Sequence, residues 1–184
     1  MEFAGVKLNA SRVRSMERIV CALLDIMREE KFDDVTVTAI CEASGVTRRT
    51  FYRIFQSKES VIESRFDMMF LELTQNFDFA ECSVKDVIKF CFDYFNRERA
   101  FAAVFKDAGL YDVIRQKIKE YIKIAYDDTL YNASSFEPAY SEFYHNFMAV
   151  GIMSLVKTWV EDNFKQPVKT MAILAQRLLS GVIA

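Results

Sequence analysis

The sequence predicts an all-α protein: three helices at the N-terminal end in a helix-turn-helix arrangement, followed by a longer helical bundle. Three observations predict it. Apolar residues recur at three- and four-residue steps along most of the 184 positions, the spacing of one buried helical face. Only 5 Gly and 2 Pro interrupt them, too few for the turns of a many-stranded sheet. Hydrophobic residues make up 52% of the chain, with 17 Phe and 8 Tyr. That is far from a disordered composition and more apolar surface than one small monomer hides.

Taken in order, Val13, Met16, Ile19, Val20, Leu23, Leu24 and Met27 place a first helix over residues 11–30. Arg12, Arg14, Arg18 and Arg28 fall mostly on its other sides, and residues 31–34 read as a polar turn. Thr36 or Thr38 can cap a short second helix, because a threonine hydroxyl accepts a free backbone N–H. Gly45 falls where that helix must reverse, since glycine tolerates a left-handed backbone. Thr47 caps a third helix reaching Phe55, and Ser57 a fourth that opens with Lys58 and Glu59.

Residues 78–83 read as a linker. Val84, Val87, Ile88, Cys91, Phe92 and Phe95 form one stripe of a helix over residues 84–96. A short helix over residues 100–105 ends before Gly109, and another covers residues 113–131, with a loop at residues 132–135. Residues 138–163 form the most apolar segment, broad enough to need partners on two sides. Pro167 suits the first turn of a last helix, whose stripe runs from Val168 to Val182.

The net charge of −2 excludes a protein that binds nucleic acid by bulk electrostatics. Residues 1–66 carry eleven basic and ten acidic side chains, so placement has to carry any such argument. Cys21, Cys41, Cys82 and Cys91 form no CxxC pair and His145 is the single histidine, which argues against a metal site. His145 reads better as an interface or pocket residue. With no nucleophile–base pair and no glycine-rich phosphate loop, neither an enzyme nor a cofactor is expected. The first residues lack a signal-peptide core, and no run of about 18 apolar residues suggests a membrane span. A cytoplasmic protein with reduced, mostly buried thiols is expected.

The chemistry concentrates between Val37 and Lys58. A short helix, a glycine-centred turn and a second short helix fit there within about twenty residues. Ile40, Val46, Phe51 and Phe55 supply an apolar interior, leaving Thr47, Arg48, Arg49, Thr50, Tyr52 and Arg53 largely outward. Three arginines on one short helix repel one another unless something anionic meets them. A major groove offers phosphates and guanine edges, to which arginine donates two hydrogen bonds.

This stretch, T-V-T-A-I-C-E-A-S-G-V-T-R-R-T-F-Y-R-I-F-Q-S-K-E-S from Thr36, resembles the DNA-binding domain of the TetR (tetracycline-repressor-like) family. The likeness includes the capped second helix, the small-Gly-Val turn, the capped recognition helix, the aromatic pair and the Lys-Glu that opens the fourth helix. Arg49 stands where a small residue is common, and Ile54 where His or Tyr is common. The run F-Y-H-N-F-M-A-V-G-I-M-S-L-V-K-T-W from Phe143 is similar, more loosely, to the family's ligand-binding and dimerisation domain.

The resemblance implies a DNA-binding domain over residues 1–57 and a ligand-binding and dimerisation domain over residues 58–184. It implies a homodimeric regulator of transcription, a repressor on a palindromic double-stranded operator, released by a small apolar or aromatic effector. Arg48 and Arg49 would read base edges, Thr47 and Thr50 would reach bases or phosphates, and Thr38, Tyr52, Arg53 and Lys58 would hold phosphates, with Thr36 also among the DNA-binding residues. Phe92, Phe95, Phe101, Phe105, Tyr111, Tyr121 and Phe147 are candidates to line an effector cavity, against the plainer reading of solid core. The last two helices carry surplus apolar surface, so pairing with a second copy is expected through Tyr144, Met148, Gly151, Ile152, Leu155, Trp159, Met171, Ala175 and Leu178. The competing readings are an all-helical interaction module that has lost DNA binding, and a ligand-responsive activator.

Overall fold

A computed structural model describes residues 2–3, 6–7, 10–76, 84–125 and 140–180. The expected linker at 78–83, the loop at 132–135 and the ends of three predicted helices lie outside these residues. The chain divides into two compact units, Met1–Arg65 and Phe66–Ala184. Apart from a two-residue antiparallel ladder, Glu2–Phe3 with Val6–Lys7, the regular structure among the described residues is helical. No described helix is long and apolar enough to cross a membrane.

In the first unit α1, Ala10–Ile26, packs on both α2, Val37–Ser44, and α3, Arg48–Ile54. The first helix ends sooner than its apolar period suggests. Arg28 N–H donates to Asp25 O and Glu29 N–H to Ile26 O, three-residue bonds that tighten the last turn and close it. The turn expected to be polar is a 3-10 turn over Phe32–Asp34 whose Phe32 is buried. Phe32 joins Ile19, Leu23, Ile40, Phe51 and Phe55 in the interior.

Both helices of the corner are closed by their own side chains. Thr36 Oγ1 accepts from Ala39 N–H at 3.1 Å, and Thr47 Oγ1 accepts from Thr50 N–H at 3.2 Å. Gly45 sits at φ 62°, and Val46 N–H reaches back to Cys41 O while Gly45 N–H reaches Glu42 O. This paired closure satisfies the orphan carbonyls at the end of α2. A Cβ at Gly45 would come within 2.5 Å of the flexible Arg18 guanidinium, which can move aside, so the left-handed backbone is what reserves this position for glycine. α4, Lys58–Asn76, opens on a reciprocal pair: Ser60 N–H donates to Ser57 Oγ and Ser57 N–H to Ser60 Oγ.

The second unit contains the end of α4 followed by α5 (Val84–Arg97), α6 (Arg99–Ala102), α7 (Tyr111–Ala125), α8 (Ser141–Glu161) and α9 (Val168–Ser180). α5 lies against α9 and α7 against α8. The short helix expected over residues 100–105 divides into α6 and a 3-10 turn, Ala103–Lys106. Phe66 meets Phe101 edge-on at 4.9 Å, and Phe95 meets Phe105 at 5.1 Å, a ring cluster that fills this part of the core. α8 stops two residues before the sequence suggests. Asn163 and Phe164 turn left-handed there, and Phe164 N–H donates to Trp159 O. Trp159 is buried between Phe92 and Phe164, its indole N–H donating to Gln166 O at 2.8 Å.

Candidate nucleic-acid interface and apolar cavity

α3 reads Arg-Arg-Thr-Phe-Tyr-Arg-Ile and contains no carboxylate. Phe51 is its anchor, fully buried, with Tyr52 edge-on at 5.4 Å and Phe55 at 5.9 Å. Burying Phe51 turns Arg48, Arg49, Tyr52 and Arg53 to the exposed side. None of the three arginines takes part in an ion pair among the described residues. Arg49 and Arg53 are four residues apart, where like charges weaken a helix by a few tenths of a kcal/mol (about 0.2–0.5). The arrangement therefore costs stability, and a polyanion is the partner that reverses its sign.

The threonines divide between two jobs. Thr38 is exposed on α2. Thr36 and Thr47 spend their acceptor oxygens on the helix caps, and the Thr47 hydroxyl donates on to Thr50 Oγ1 at 3.1 Å. Their first duty is to fix the two helices.

Lys58 departs from expectation. Its Nζ donates to Phe32 O at 2.7 Å, Val35 O at 2.8 Å and Asp33 O at 3.0 Å, and lies 4.5 Å from the centre of the Phe32 ring. An ammonium has three protons, and all three are committed to carbonyls of the turn after α1. Lys58 ties the start of α4 to that turn. No sequence pattern announces this, because the partners are main-chain atoms 23 to 26 residues away. Replacing Lys58 by Met leaves three carbonyls without that donor. We expect a stability loss of about 2 kcal/mol, read as a lower urea midpoint, with an unchanged salt slope of DNA binding in the folded fraction.

The second unit holds a cavity of about 130 Å³ among α4, α5, α7, α8 and α9. Of the seven expected lining residues, Phe92, Phe95 and Tyr121 border it. Phe101 and Phe105 are solid core against Phe66, while Tyr111 and Phe147 are exposed, at 47% and 58%. Met69, Phe70, Leu73, Ile88, Ile118 and Val156 complete much of the wall, which sequence reasoning missed because apolar side chains at helical spacing carry no mark distinguishing wall from core. Cys91 also lines the cavity, and burial pushes its thiol up to about 12. It stays protonated at neutral pH, which removes the thiolate a redox sensor needs. His145 is buried against Tyr144 and is not part of the wall.

The surplus apolar face is offset by one residue from the predicted one. Tyr144, Met148, Trp159, Met171 and Ala175 point into their own protomer and are buried. Ile152, Leu155 and Ala175 face the cavity. The exposed stripe is Phe143, Phe147 and Val150 on α8, with Ile173, Leu174 and Leu178 on α9. Of the residues expected to pair with a second copy, Leu178 stands on that stripe and Gly151 beside it, half-buried with open space where a Cβ would be. One position along a helix turns a side chain by about 100°, so on a helix apolar all round the period alone leaves the register open.

Comparison with known proteins bears on both units. Residues 19–64 match the family described as bacterial regulatory proteins, tetR family, and residues 83–181 match a transcriptional regulator C-terminal region of the same family group. A sequence comparison with curated proteins returns no match. Among solved structures, the chain is similar to Lin0861 from Listeria innocua, with TM-score 0.79 at 16% identity over 98% of this chain and 97% of that one. It is similar to the dihydroxyacetone kinase operon activator DhaS, with TM-score 0.60 at 16% identity over 93% and 97%. It is also similar to the regulator FadR from Bacillus subtilis in complex with stearoyl-CoA, with TM-score 0.57 at 17% identity over 89% and 96%.

Proposed function

The chain belongs to the TetR family of transcriptional regulators, and from that premise we propose that it represses transcription as a homodimer on a palindromic operator. Residues 1–57 serve DNA binding and residues 58–184 ligand binding and dimerisation. Each protomer lays α3 in a major groove, where Arg48 and Arg49 read base edges. Thr38, Tyr52 and Arg53 hold phosphates. The observation that carries this reading is the exposed face of α3, with three arginines and no carboxylate to neutralise them. Operator binding titrated between 50 and 200 mM salt tests it. A dimer making six to ten phosphate contacts loses about 10³–10⁵ in affinity over that range through counterion release. A flat response overturns the reading and points to a protein partner instead. Repression follows where the operator overlaps a promoter.

The exposed stripe on α8 and α9 supports self-association. Phe143, Phe147, Val150, Leu174 and Leu178 form an apolar surface of the kind monomers rarely leave in water. A two-fold axis lets the same stripe meet its copy and sets two recognition helices about 34–36 Å apart, one turn of DNA. Phe147→Glu combined with Leu178→Glu should give a folded monomer by analytical ultracentrifugation, with operator binding lost. A variant that sediments as a dimer removes this stripe from the interface.

An effector in the second unit modulates the affinity. The Bacillus subtilis neighbour was solved with stearoyl-CoA, which supports reading this part of the fold as a ligand site. A ligand here shifts the regulator only by its difference in affinity between DNA-competent and incompetent arrangements.

A further inference from the structure

We propose that the cavity of the second unit takes an uncharged, compact hydrocarbon-like molecule about the size of one aromatic ring, and excludes carboxylates and long charged thioesters. This rests on the effector reading above and names the ligand class. The lining side chains are carbon and sulfur with one exception, the Tyr121 hydroxyl. That hydroxyl donates to Asp67 at 2.6 Å, and Asp67 also accepts from Lys117 Nζ at 2.8 Å. Neither Asp67 nor Lys117 lines the cavity. These charges are matched to each other, so none is left to neutralise a ligand's charge. A buried anion without a partner is strongly disfavoured, whereas a dry apolar cavity of about 150 Å³ accepts benzene. The pocket is partly open, and its volume of about 130 Å³ fits one ring but would leave much of a long acyl chain in water. The rings of Phe70, Phe92, Phe95 and Tyr121 stand on the wall, a surface suited to a flat apolar guest.

The chain reports its own occupancy. Trp159 is its single tryptophan and lies 5.3 Å from Phe92. Full-length protein without DNA is titrated with toluene, with benzoate at neutral pH and with lauroyl-CoA, following tryptophan fluorescence and the melting temperature. Toluene should give a saturable fluorescence change and a raised melting temperature, with benzoate at least 100-fold weaker and lauroyl-CoA unable to displace it. Ala175→Leu and, independently, Ile152→Phe should fill the space and abolish the toluene response in whichever variant folds. Benzoate binding as tightly as toluene, displacement of toluene by lauroyl-CoA, no saturable response to toluene, or a full response in a folded filled variant would each overturn the proposal. Operator binding by the unliganded protein is assayed separately. Its failure sinks the regulator reading, while the three titrations still decide the ligand class.

Discussion

Arg48→Ala together with Arg49→Ala lowers operator affinity by about 2–6 kcal/mol for each half-site, since each bidentate contact to a base is worth about 1–3 kcal/mol. In binding terms the weakest case is roughly a 30-fold loss per half-site. Two features separate this outcome from simple misfolding. Both side chains are exposed and neither has an ion-pair partner among the described residues, so removing them takes nothing from the interior. Relieving the charge crowding on α3 should leave the urea midpoint unchanged or slightly higher. The loss should also fall on the preferred sequence more than on random DNA, because base contacts specify while phosphate contacts position. Competition binding against an operator and a scrambled duplex measures both. Equal preference before and after the substitution would remove base reading from these two residues.

Phe51→Ala destroys the same activity by the opposite route. Phe51 is fully buried, and its ring meets Tyr52 and Phe55. Truncating a buried phenylalanine costs about 3–5 kcal/mol, a large share of the roughly 5–15 kcal/mol that holds a whole domain folded. The helical signal of this variant should be lost at much lower urea, and operator binding should vanish with it. Cooling or an osmolyte that restores the fold should restore affinity, because Phe51 faces inward. Wild-type stability in this variant would contradict the placement of Phe51 at the centre of the first unit.

The helix-turn-helix was legible because its determinants are local. Gly45 needs a left-handed backbone, Thr36 and Thr47 cap within three residues, and the Phe51–Phe55 spacing names the buried face. The structural tie made by Lys58 is not legible in the sequence because its partners are distant carbonyls, which leave no trace in side-chain pattern. In α8 the difficulty was physical. Tyr144, Met148 and Trp159 and the neighbouring stripe of Phe143, Phe147 and Val150 are equally apolar, yet the first is buried and the second exposed. Hydrophobicity says that a face will be covered, and tertiary packing alone says whether the protomer or a copy covers it. The cavity suffered similarly. Aromatic residues are the expected wall, but Phe101 and Phe105 meet Phe66 edge-on in the core while aliphatic residues of α4 and α7 supply much of the lining.

Seven residues make barely two turns, far below the length at which a peptide stays coiled in water unaided. Excised from the protein, residues 47–55 would wander among many shapes despite carrying every arginine the reader needs. The proposed recognition is therefore on loan from its scaffold, and a mutation elsewhere that loosens the grip on the Phe51 benzyl group would erase this arginine-bearing helix without touching a letter of it.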